Sequence, residues 1–308
     1  MAAVTAAMVK ELREMTGAGM MDCKKALSNT DGDMDKAVEY LRENGMAKAA
    51  KKAGRIAAEG IVKVVTEGSK AAIVEVNSET DFVAKNADFN AYVEEVAQQA
   101  LNTKASDIDG FLAESWNKDS SKTVADVLAG QIAVIGENLK IRRFAQIEEN
   151  NGFIASYIHM GGKIGVLVDV ETDVVNPAIE EMAKNVAMQA AALKPMYTNR
   201  SEVDPEYIAK ETEIITITAK NEKPDANDKI IEGMVKGRLN KELKEICLLD
   251  QTYVKAEDGK QSVSAYVASV AKENSANITI KGFVRFETGE GLEKKNEDFA
   301  AEVAAQLQ

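Results

Sequence analysis

Residues 77–86 read NSETDFVAKN, and this stretch decides the fold of the chain. It follows an alternating apolar run, Ala72 to Val76, that is typical of a β-strand. Its centre, Thr80-Asp81-Phe82, places a carboxylate beside an aromatic ring where the strand should give way to a helix. A second apolar run ends in Glu171-Thr172-Asp173, 92 residues later (171 − 79), and Val174 follows it instead of a phenylalanine. We predict two copies of one unit, of which only one carries an aromatic side chain for a contact outside the fold.

The composition is that of a soluble globular protein of 308 residues, with 45% hydrophobic and 29% charged residues. This length allows two or three domains with cores of their own. The net charge of −12 argues against general binding to nucleic acids or anionic membranes, because such binding requires a basic face. Cys23 and Cys247 lie far apart and form no CxxC pair, so neither a zinc site nor a disulfide framework is indicated.

The predicted location is a reducing cytoplasm. No apolar run reaches the length needed to span a bilayer. The N-terminus shows no signal peptide, and a transit peptide would not carry Glu11, Glu14 and Asp22 so early. We therefore expect a cytoplasmic protein.

Residues 1–54 predict a small module of three short helices. Apolar residues at helical spacing mark each helix, Gly17-Ala18-Gly19 separates the first two, and Asp31-Gly32-Asp33 precedes the third. We expect the third helix to end before Gly45. The segment from Lys48 to Arg55 is rich in basic residues and is predicted to be a connector.

Residues 55–149 and 150–288 predict a duplicated core of antiparallel sheets and helices. Each copy reads as a β-hairpin, a helix, a later helix and a closing strand. The first copy contains a polar stretch at about 103–121 with the only tryptophan, Trp116, which we interpret as a surface insertion. With the helical module before it, this pattern predicts an α+β fold.

The second copy is longer because of an insertion at about 196–244. Asp204-Pro205 predicts the start of a helix, and two amphipathic stripes separated by a short turn predict a helical hairpin of the coiled-coil type. Residues 289–308 predict a C-terminal helical module. The apolar residues on one face of its helix are Phe299, Val303 and Leu307. Such a stripe either packs on its own domain or contacts a partner.

Several residues have a plain structural interpretation beside the functional one. Phe82 could simply cap the core of the first copy, and Cys23 lies on an apolar helix face. His159, the only histidine, stands close to two glycines and is typical of a solvated turn. Nothing near it suggests a Ser-His-Asp or Cys-His arrangement. The phosphate-binding pattern GxxxxGK is absent from the sequence, so the chain itself should not bind a nucleotide.

Two rival functions stay open at this point. An RNA-binding or ribosome-associated protein could use the N-terminal module and the basic connector, and its affinity would depend strongly on salt. An enzyme would have to rely on His159 or Cys23. Indifference of the function to replacement of both by alanine would exclude the enzyme.

Seven stretches of the chain match, in order, the pattern of one family. They are LREMTGAGMMDCKKAL from Leu12, KAAKKAGRIAAEG from Lys48, NSETDFVAKN from Asn77, IGENLKIRR from Ile135, YIHMGGKIGVLV from Tyr157, VAMQAAALKPMY from Val186 and GFVRFETGEGLEK from Gly282. Over nearly its full length the chain resembles bacterial elongation factor Ts, the family of guanine-nucleotide exchange factors for elongation factor Tu. The polar insertion around Trp116 departs from the shorter members of that family.

The resemblance implies a fold and a function. It implies an N-terminal module of the ubiquitin-associated type, a coiled-coil insertion, and release of GDP from elongation factor Tu by displacement of elements around the Mg²⁺ and phosphate site. The factor would bind elongation factor Tu in its GDP-bound and nucleotide-free forms, with no bond chemistry, no catalytic residue, and no cofactor or metal of its own. A second copy of the chain, bound through the coiled-coil hairpin, is a further candidate partner. Direct binding of nucleotide, nucleic acid or membrane is not expected.

The resemblance also implies four groups of partner-binding residues. The exchange wedge is Thr80, Asp81, Phe82 and Val83. The N-terminal module would contact the G domain of the partner through Arg13, Met20 and Met21. A β-barrel domain of the same partner would be held by Tyr157, His159, Tyr253 and Val254. The C-terminal helix would contact the partner through Phe299, Val303 and Leu307.

Overall fold

Helices and antiparallel sheets make up the fold, which is seen in a computed structural model that describes residues 4–293. The prediction of an α+β fold is therefore confirmed. The predicted C-terminal helix, with Phe299, Val303 and Leu307, lies outside the described residues, and its contact with a partner stays a prediction. None of the helices within residues 4–293 combines the length and the apolar content needed to cross a membrane.

Three helices form the N-terminal part of the chain: α1 (Ala6–Thr16), α2 (Met20–Asn29) and α3 (Met34–Lys52). Thr5 begins α1, because its side chain accepts a hydrogen bond from a backbone N–H of the first turn. Gly17 ends α1 in the left-handed conformation. The buried side chains of this part are Val9, Leu12, Cys23, Ala26, Leu27 and Ala37. The three helices therefore pack around one small core.

The first sheet and its helices come next. The elements are β1 (Glu59–Glu67), β2 (Lys70–Ser78), α4 (Asp81–Ala84), α5 (Ala87–Leu101), α6 (Ile108–Ala113), β3 (Ser115–Trp116), β4 (Asp119–Thr123), α7 (Val124–Ile135) and β5 (Lys140–Glu148). Strands β1, β2 and β5 form an antiparallel sheet with β2 in the middle, and β3 pairs with β4 in a short hairpin. Helix α5 packs on β1 and β2.

The second sheet repeats this order with longer connections. The elements are β6 (Gly152–His159), β7 (Ile164–Thr172), α8 (Pro177–Leu193), α9 (Pro205–Glu222), α10 (Asp228–Ile246), α11 (Val263–Glu273) and β8 (Ile278–Glu287). Strands β6, β7 and β8 form an antiparallel sheet with β7 in the middle, and α8 packs on β6 and β7. Helices α9 and α10 form a hairpin, in which the Tyr207 hydroxyl donates to Glu242 (2.6 Å) and Arg238 pairs with Glu222.

The two sheets pack face to face, and each carries helices on its other face. Side chains alternate along a strand, so Val74 and Val76 of β2 face α5 while Ile73 faces the other sheet. There Ile73 joins a cluster with Leu167 of β7 and Phe286 of β8. The order of layers is helix, sheet, sheet, helix, and it buries most of both middle strands.

The third helix is longer than predicted. We expected it to end before Gly45, but α3 continues to Lys52 and includes most of the predicted connector. A Cβ atom at Gly45 would lie 3.6 Å from the backbone of Ala129, so the missing side chain lets α3 approach α7 closely. Arg42 joins the same two helices through an ion pair with Asp126 at 2.8 Å. The glycine serves packing between helices and not helix termination.

The segment at 103–121 is not a surface insertion throughout. It contains α6 and the β3–β4 hairpin, and its side chains Phe111 and Trp116 are buried in the first core. The ring centroid of Phe111 lies 4.9 Å from that of Phe144 on β5. The interpretation as a surface insertion is wrong for these two residues, because the polar composition of a whole segment does not reveal single large apolar anchors.

Both middle strands have one irregularity in their pairing with the closing strand, at Glu75/Val76 in β2 and at Asp169/Val170 in β7. The fully buried carboxylate of Glu75 accepts hydrogen bonds from Arg142 (3.0 Å) and Arg143 (2.6 Å). It also accepts one from the backbone N–H of Gly289 (2.8 Å). The negative charge of Glu75 is therefore fully compensated inside the protein.

The segment after β8 closes over the start of the core. Gly289 has a φ of +72°, and a Cβ atom there would lie 2.1 Å from the carbonyl oxygen of Ala58. Only glycine permits this conformation and this approach together. Thr288 donates its backbone N–H to the carbonyl of Lys163 (2.9 Å) and its hydroxyl to that of Gly162 (3.2 Å), which fixes the segment to the β6–β7 turn of its own sheet. Gly289, which also donates to Glu75, thus ties the end of the second sheet to the first one.

The corresponding carboxylate of the second sheet, Asp169, faces the carboxyl group of Glu149. Lys281 donates to Glu149 at 2.9 Å, whereas Asp169 Oδ1 is buried and has no hydrogen-bond partner among the described residues. Burial and the neighbouring Glu149 raise the pKa of Asp169 to about 6. Hydrogen bonds from the backbone N–H of Asn151 and from Lys281 lower the pKa of Glu149. At corresponding positions, the first sheet therefore holds Glu75 with its charge compensated, and the second sheet holds Asp169 beside another carboxyl group.

Candidate functional site

The connections between the middle strands and the helices after them differ in length. The first turn, residues 79–86, joins β2 to α5, and the second turn, residues 173–176, joins β7 to α8. The pairing irregularities of the two middle strands are 94 residues apart (169 − 75). The helices that follow begin only 90 residues apart (177 − 87). The first turn therefore holds four extra residues, the length of α4.

Because the first turn has four extra residues, residues of the two turns do not correspond in the way that the sequence suggested. Matching the letters Glu-Thr-Asp pairs Phe82 with Val174. In the structure the hydroxyl of Ser78 donates to the carbonyl oxygen of Thr80 at 2.9 Å. In the second turn the hydroxyl of Thr172 donates in the same way to Val174 at 3.0 Å, so Val174 corresponds to Thr80. Phe82 has no counterpart in the second turn, because it lies on the additional helical turn.

Helix α4 directs Phe82 outward and is anchored by its next two residues. Thr80 begins the helix, because its hydroxyl accepts from the backbone N–H of Val83 at 3.4 Å. Val83 packs against the first core, and Ala84 is buried in it. The side chain of Phe82 is 81% exposed, more than any other large apolar side chain of the described residues. An exposed ring gains nothing from burial in the free chain, and this indicates a contact with another molecule.

Asp81 lies beside the ring and is paired with Lys85 at 2.6 Å. The hydrogen bond from Lys85 lowers the pKa of Asp81, and the charge of Lys163 lowers it further. Lys163 lies at the β6–β7 turn and pairs with Glu59 at the start of β1. This proximity places the β6–β7 turn on the same side of the molecule as α4.

The loop between α7 and β5 holds the first turn in place. The carboxylate of Glu137 accepts hydrogen bonds from the backbone N–H groups of Glu79 and Thr80, both at 3.1 Å. It also accepts one from the hydroxyl of Thr80 at 2.6 Å. Glu137 belongs to the stretch IGENLKIRR, and it is not among the residues predicted to form the site. No sequence signal joins two residues that lie 57 positions apart.

Arg13, Met20 and Met21 come together at the junction of α1 and α2, and all three are exposed. Met21 is 76% exposed. Met15, which is not among the predicted contact residues, is exposed at the same junction. Thioether side chains are flexible and polarizable, so this junction is suited to contact with another protein.

Tyr157 and His159 lie side by side on β6, where the Tyr157 hydroxyl and His159 Nδ1 are 2.8 Å apart. Both side chains are half-buried. Met160, the next residue, has a φ of +48° and is 73% exposed. His159 is among the predicted contact residues and Met160 is not, although a methionine before two glycines in a turn is an unusual choice.

Tyr253 and Val254 lie in different environments. Val254 is exposed, whereas Tyr253 is only 6% exposed and stacks on Tyr266 with ring centroids 4.1 Å apart. Burial raises the pKa of Tyr253. The backbone N–H of Val254 donates to the side-chain oxygen of Gln189 at 2.9 Å. Tyr253 therefore supports the loop that presents Val254, and it offers little surface of its own to a partner.

Both cysteine side chains are buried. Burial raises the pKa of the thiols of Cys23 and Cys247, so neither is a ready nucleophile. Among residues 4–293 no group of His, Cys, Asp and Glu side chains is placed to hold a metal ion. What the described surface offers instead is exposed apolar side chains on well-anchored turns.

Exposed apolar side chains on anchored turns are typical of surfaces that bind other proteins. The model of the elongation factor TS family matches residues 79–290. Elongation factor Ts of Clostridioides difficile (strain 630) is 55% identical over 309 residues, covering 100% of both chains. That of Clostridium botulinum (strain Eklund 17B / Type B) is 52% identical over 307 residues and 99% of each chain. That of Clostridium tetani (strain Massachusetts / E88) is 51% identical over 308 residues, 99% of this chain and 100% of its own. The chain belongs to the elongation factor Ts family, and the resemblance is confirmed.

Proposed function

We propose that this protein is a guanine-nucleotide exchange factor for elongation factor Tu in translation elongation, and that it acts in the cytoplasm without bond chemistry. Membership of the elongation factor Ts family implies this activity. One observation on this chain carries the proposal: Phe82 stands exposed on a four-residue helical turn that the second copy of the unit lacks. An exposed ring on an added and anchored turn is what a wedge into another protein requires.

The mechanism follows from linkage between two ligands of one protein. If the factor weakens GDP binding to elongation factor Tu, GDP weakens binding of the factor equally. In a P-loop GTPase, backbone amides and a lysine hold the phosphates while Mg²⁺ bridges oxygens and side chains. Mg²⁺ requires near-octahedral geometry, so a small displacement of the elements that carry its ligands releases it. We propose that Phe82 causes this displacement by inserting its ring into a pocket of the partner.

Burial of the Phe82 ring in the partner provides part of the free energy for displacing the elements around Mg²⁺. An aromatic anchor contributes roughly 2–4 kcal/mol to an interface, which is about 30- to 1000-fold in a dissociation constant. Nearly all of the Phe82 surface is available for burial, since the ring is exposed in the free chain. Asp81 is ionised beside it, and it orients the wedge through hydrogen bonds or disfavours the metal-bound arrangement. The remaining energy comes from the other contacts.

We propose that three parts of the chain make different contacts with the partner. Residues 1–54 are a module of the ubiquitin-associated type, and residues 55–149 are the part of the core that carries the wedge. Residues 150–288 hold a β-barrel domain of the partner. The contact residues of the first module are Arg13, Met20 and Met21, and those of the last part are Tyr157, His159 and Val254, with Tyr253 in support.

We propose that the α9–α10 hairpin is the coiled-coil insertion and that it joins two copies of the chain. Its two helices bury Ala219, Ile231 and Val235 between them. The isoleucines that remain exposed on the hairpin are Ile214, Ile217 and Ile230. Sedimentation of the unmodified protein and of an Ile214→Gln/Ile217→Gln variant tests this contact. A dimer lost in the variant supports it, and a monomer at all concentrations contradicts it.

The decisive experiment is stopped-flow release of a fluorescent GDP analogue from elongation factor Tu. Trace amounts of this protein should accelerate release, and Phe82→Ala should remove most of the acceleration. No acceleration by the unmodified protein overturns the proposed function and favours the RNA-binding alternative. Acceleration that survives Phe82→Ala keeps the function and overturns the wedge.

A further inference from the structure

Two sets of hydrogen bonds, which we call clamps, hold the first turn: one joins Glu79 to Asn138, and the other is made by Glu137. The first of these clamps has a counterpart in the second turn. Glu79 accepts a hydrogen bond from the backbone N–H of Asn138 (2.6 Å), shortly before β5 begins. In the second turn, Asp173 accepts one from the backbone N–H of Asn277 (2.8 Å), just before β8. The acceptors are 94 residues apart (173 − 79), and the donors 139 apart (277 − 138). These are the spacings of the middle strands and of the closing strands, so this clamp belongs to the shared scaffold.

The other clamp distinguishes the two turns. Glu137 holds the backbone N–H groups of Glu79 and Thr80 and the hydroxyl of Thr80 with one carboxylate. The spacing of 139 places Ala276 at the corresponding position of the second copy. An alanine side chain accepts no hydrogen bond. A charged acceptor is therefore present in the copy that carries Phe82 and replaced by a methyl group in the copy that does not.

The loop that carries Glu137 is itself fixed on two sides. Gly136 ends α7 with a φ of +87°, and its carbonyl oxygen accepts from the side chain of Lys52 at the end of α3. The side-chain amide of Asn138 donates to the carbonyl oxygen of Arg55 at 2.8 Å. The loop that carries Glu137 is thus joined to the end of α7, to the end of α3 and to Arg55.

We propose that Glu137 is a positioning residue of the exchange wedge, an inference that rests on the proposed function. It holds Thr80, the residue that begins α4, so that Phe82 displaces elements of the partner and is not itself displaced. Hydrogen bonds to an ionised acceptor are stronger than neutral ones, and three of them converge here. Without Glu137 the ring still enters its pocket, but the turn yields. Loss of Glu137 therefore slows GDP release at saturation more than it weakens binding.

Titration of this protein into elongation factor Tu with fluorescent GDP separates the two quantities. Glu137→Ala should lower the maximal release rate about tenfold and change the half-saturating concentration less than about twofold. Glu137→Gln keeps one acceptor oxygen and should lose roughly threefold. A tenfold rise in the half-saturating concentration with an unchanged maximal rate overturns the proposal, because Glu137 would then serve binding alone.

The double variant Glu137→Ala/Phe82→Ala tests whether Glu137 acts through the ring. Its release rate should be no lower than that of Phe82→Ala, because the clamp has nothing to position once the ring is gone. Asp173→Ala is the matched control: it breaks the shared clamp in the second turn and should leave both kinetic quantities unchanged. Additive losses in the double variant, or an equal loss in Asp173→Ala, overturn the positioning role.

A measurement without the partner separates this proposal from the proposed function. 4-Fluorophenylalanine at position 82 gives one fluorine NMR line, which should narrow in Glu137→Ala as the turn becomes mobile, while the thermal unfolding midpoint stays close to that of the unmodified protein. If the unmodified protein fails to release GDP, the proposed function fails and the positioning role with it. If it releases GDP, but Glu137→Ala changes neither the rate nor the fluorine line, only the positioning role fails.

Discussion

In the first unit eight residues, 79–86, lead from the middle strand to the next helix, whereas four, 173–176, do so in the second. The strands before and the helices after these turns follow one plan, with the same pairing irregularity and the same clamp to the closing strand. The surplus is one helical turn, and it carries the most exposed large apolar side chain of the described residues. The region proposed for function is therefore one of the places where the internal symmetry fails, and there the two copies differ by a single helical turn.

The difference teaches where to look in a duplicated fold. Positions that correspond between two copies are constrained by the shared scaffold, as at Gly60 and Gly152, where a Cβ atom would lie 2.1 Å and 1.9 Å from a carbonyl oxygen of the neighbouring strand. Positions that differ between the two copies are not explained by the shared scaffold. Two such differences are α4, which the second turn lacks, and Glu137, which Ala276 replaces in the second copy, and both belong to one surface.

The largest effect is expected when the first turn is made as short as the second. Deletion of residues 81–84 removes α4 and should slow the release of GDP from elongation factor Tu roughly 30- to 1000-fold, since an aromatic anchor contributes about 2–4 kcal/mol. Stopped-flow fluorescence measures this rate. Phe82→Ala keeps the turn and should show most of the loss.

Val175 provides the matched control for the first turn. It is the exposed apolar residue of the second turn, with 54% of its surface accessible, and Val175→Ala should release GDP at the unmodified rate. Equal slowing by Val175→Ala and Phe82→Ala would mean that the asymmetry of the turns has no part in exchange.

The next effect concerns stability and the compensated carboxylate of the first sheet. Glu75→Gln leaves Arg142 and Arg143 without their buried anion, and we expect the free energy of unfolding to fall by about 2–3 kcal/mol. Urea unfolding followed by circular dichroism measures the change. Glu67→Gln, at the exposed end of β1, is the control and should stay within about 0.5 kcal/mol. Equal changes in both variants would contradict the buried network.

The corresponding change in the second sheet should have the opposite sign. The pKa of Asp169 is about 6 in the folded protein, above its ordinary value of 3.8. Between about pH 4 and pH 6 the folded state keeps a proton that the unfolded chain has lost, so the contribution of Asp169 to stability falls as the pH rises through this range. Asp169→Asn should therefore raise the free energy of unfolding by about 1 kcal/mol at pH 7.5, allowing for partial exposure to solvent.

The pH dependence of this gain is its test. Unfolding of the unmodified protein and of Asp169→Asn should differ most above pH 6 and converge below about pH 4, where Asp169 is protonated in both states. A gain that is the same at every pH would show that the carboxyl pair does not titrate as described.

The smallest effect separates two adjacent valines of the second turn. Val174 packs against the second core, and Val174→Ala should cost about 1 kcal/mol of unfolding free energy. Val175→Ala should cost less than about 0.5 kcal/mol, because the side chain is exposed. The reverse order would contradict the correspondence of Val174 with the inward-held Thr80.

Much of the fold is readable from the sequence because its signals are local. The later helix predicted for the first copy is α7, Val124–Ile135, and its ends are local because Thr123 and Gly136 cap it. The first helix predicted for the second copy is α8, Pro177–Leu193, and it begins locally with a proline at its first position. The proline after Asp204 likewise marks the start of α9.

The rest depends on partners that are distant in the sequence. Gly45 looks like a helix end and is a contact with α7, about 84 residues away. Alignment of the two Glu-Thr-Asp motifs pairs Phe82 with Val174. Only the pairing of the strands reveals that the first turn contains an additional helical turn. The presence of a phenylalanine in only one of the two copies predicts that Phe82 makes a contact outside the fold. The Glu137 clamp and the burial of Tyr253 depend on tertiary contacts, which no local sequence pattern contains.

The approach of Gly289 to Ala58 has a consequence for the order of folding during synthesis. Until the ribosome has made the last strand, Glu75 lacks one of its donors and the inner face of the first sheet lacks Phe286. The first half of the core therefore cannot reach its final packing while it emerges. Domains usually fold as they leave the ribosome, but these sheets complete one another and are expected to fold in a single late step. Truncation before Ile278, where β8 begins, should leave a nascent chain that proteases cut in both halves.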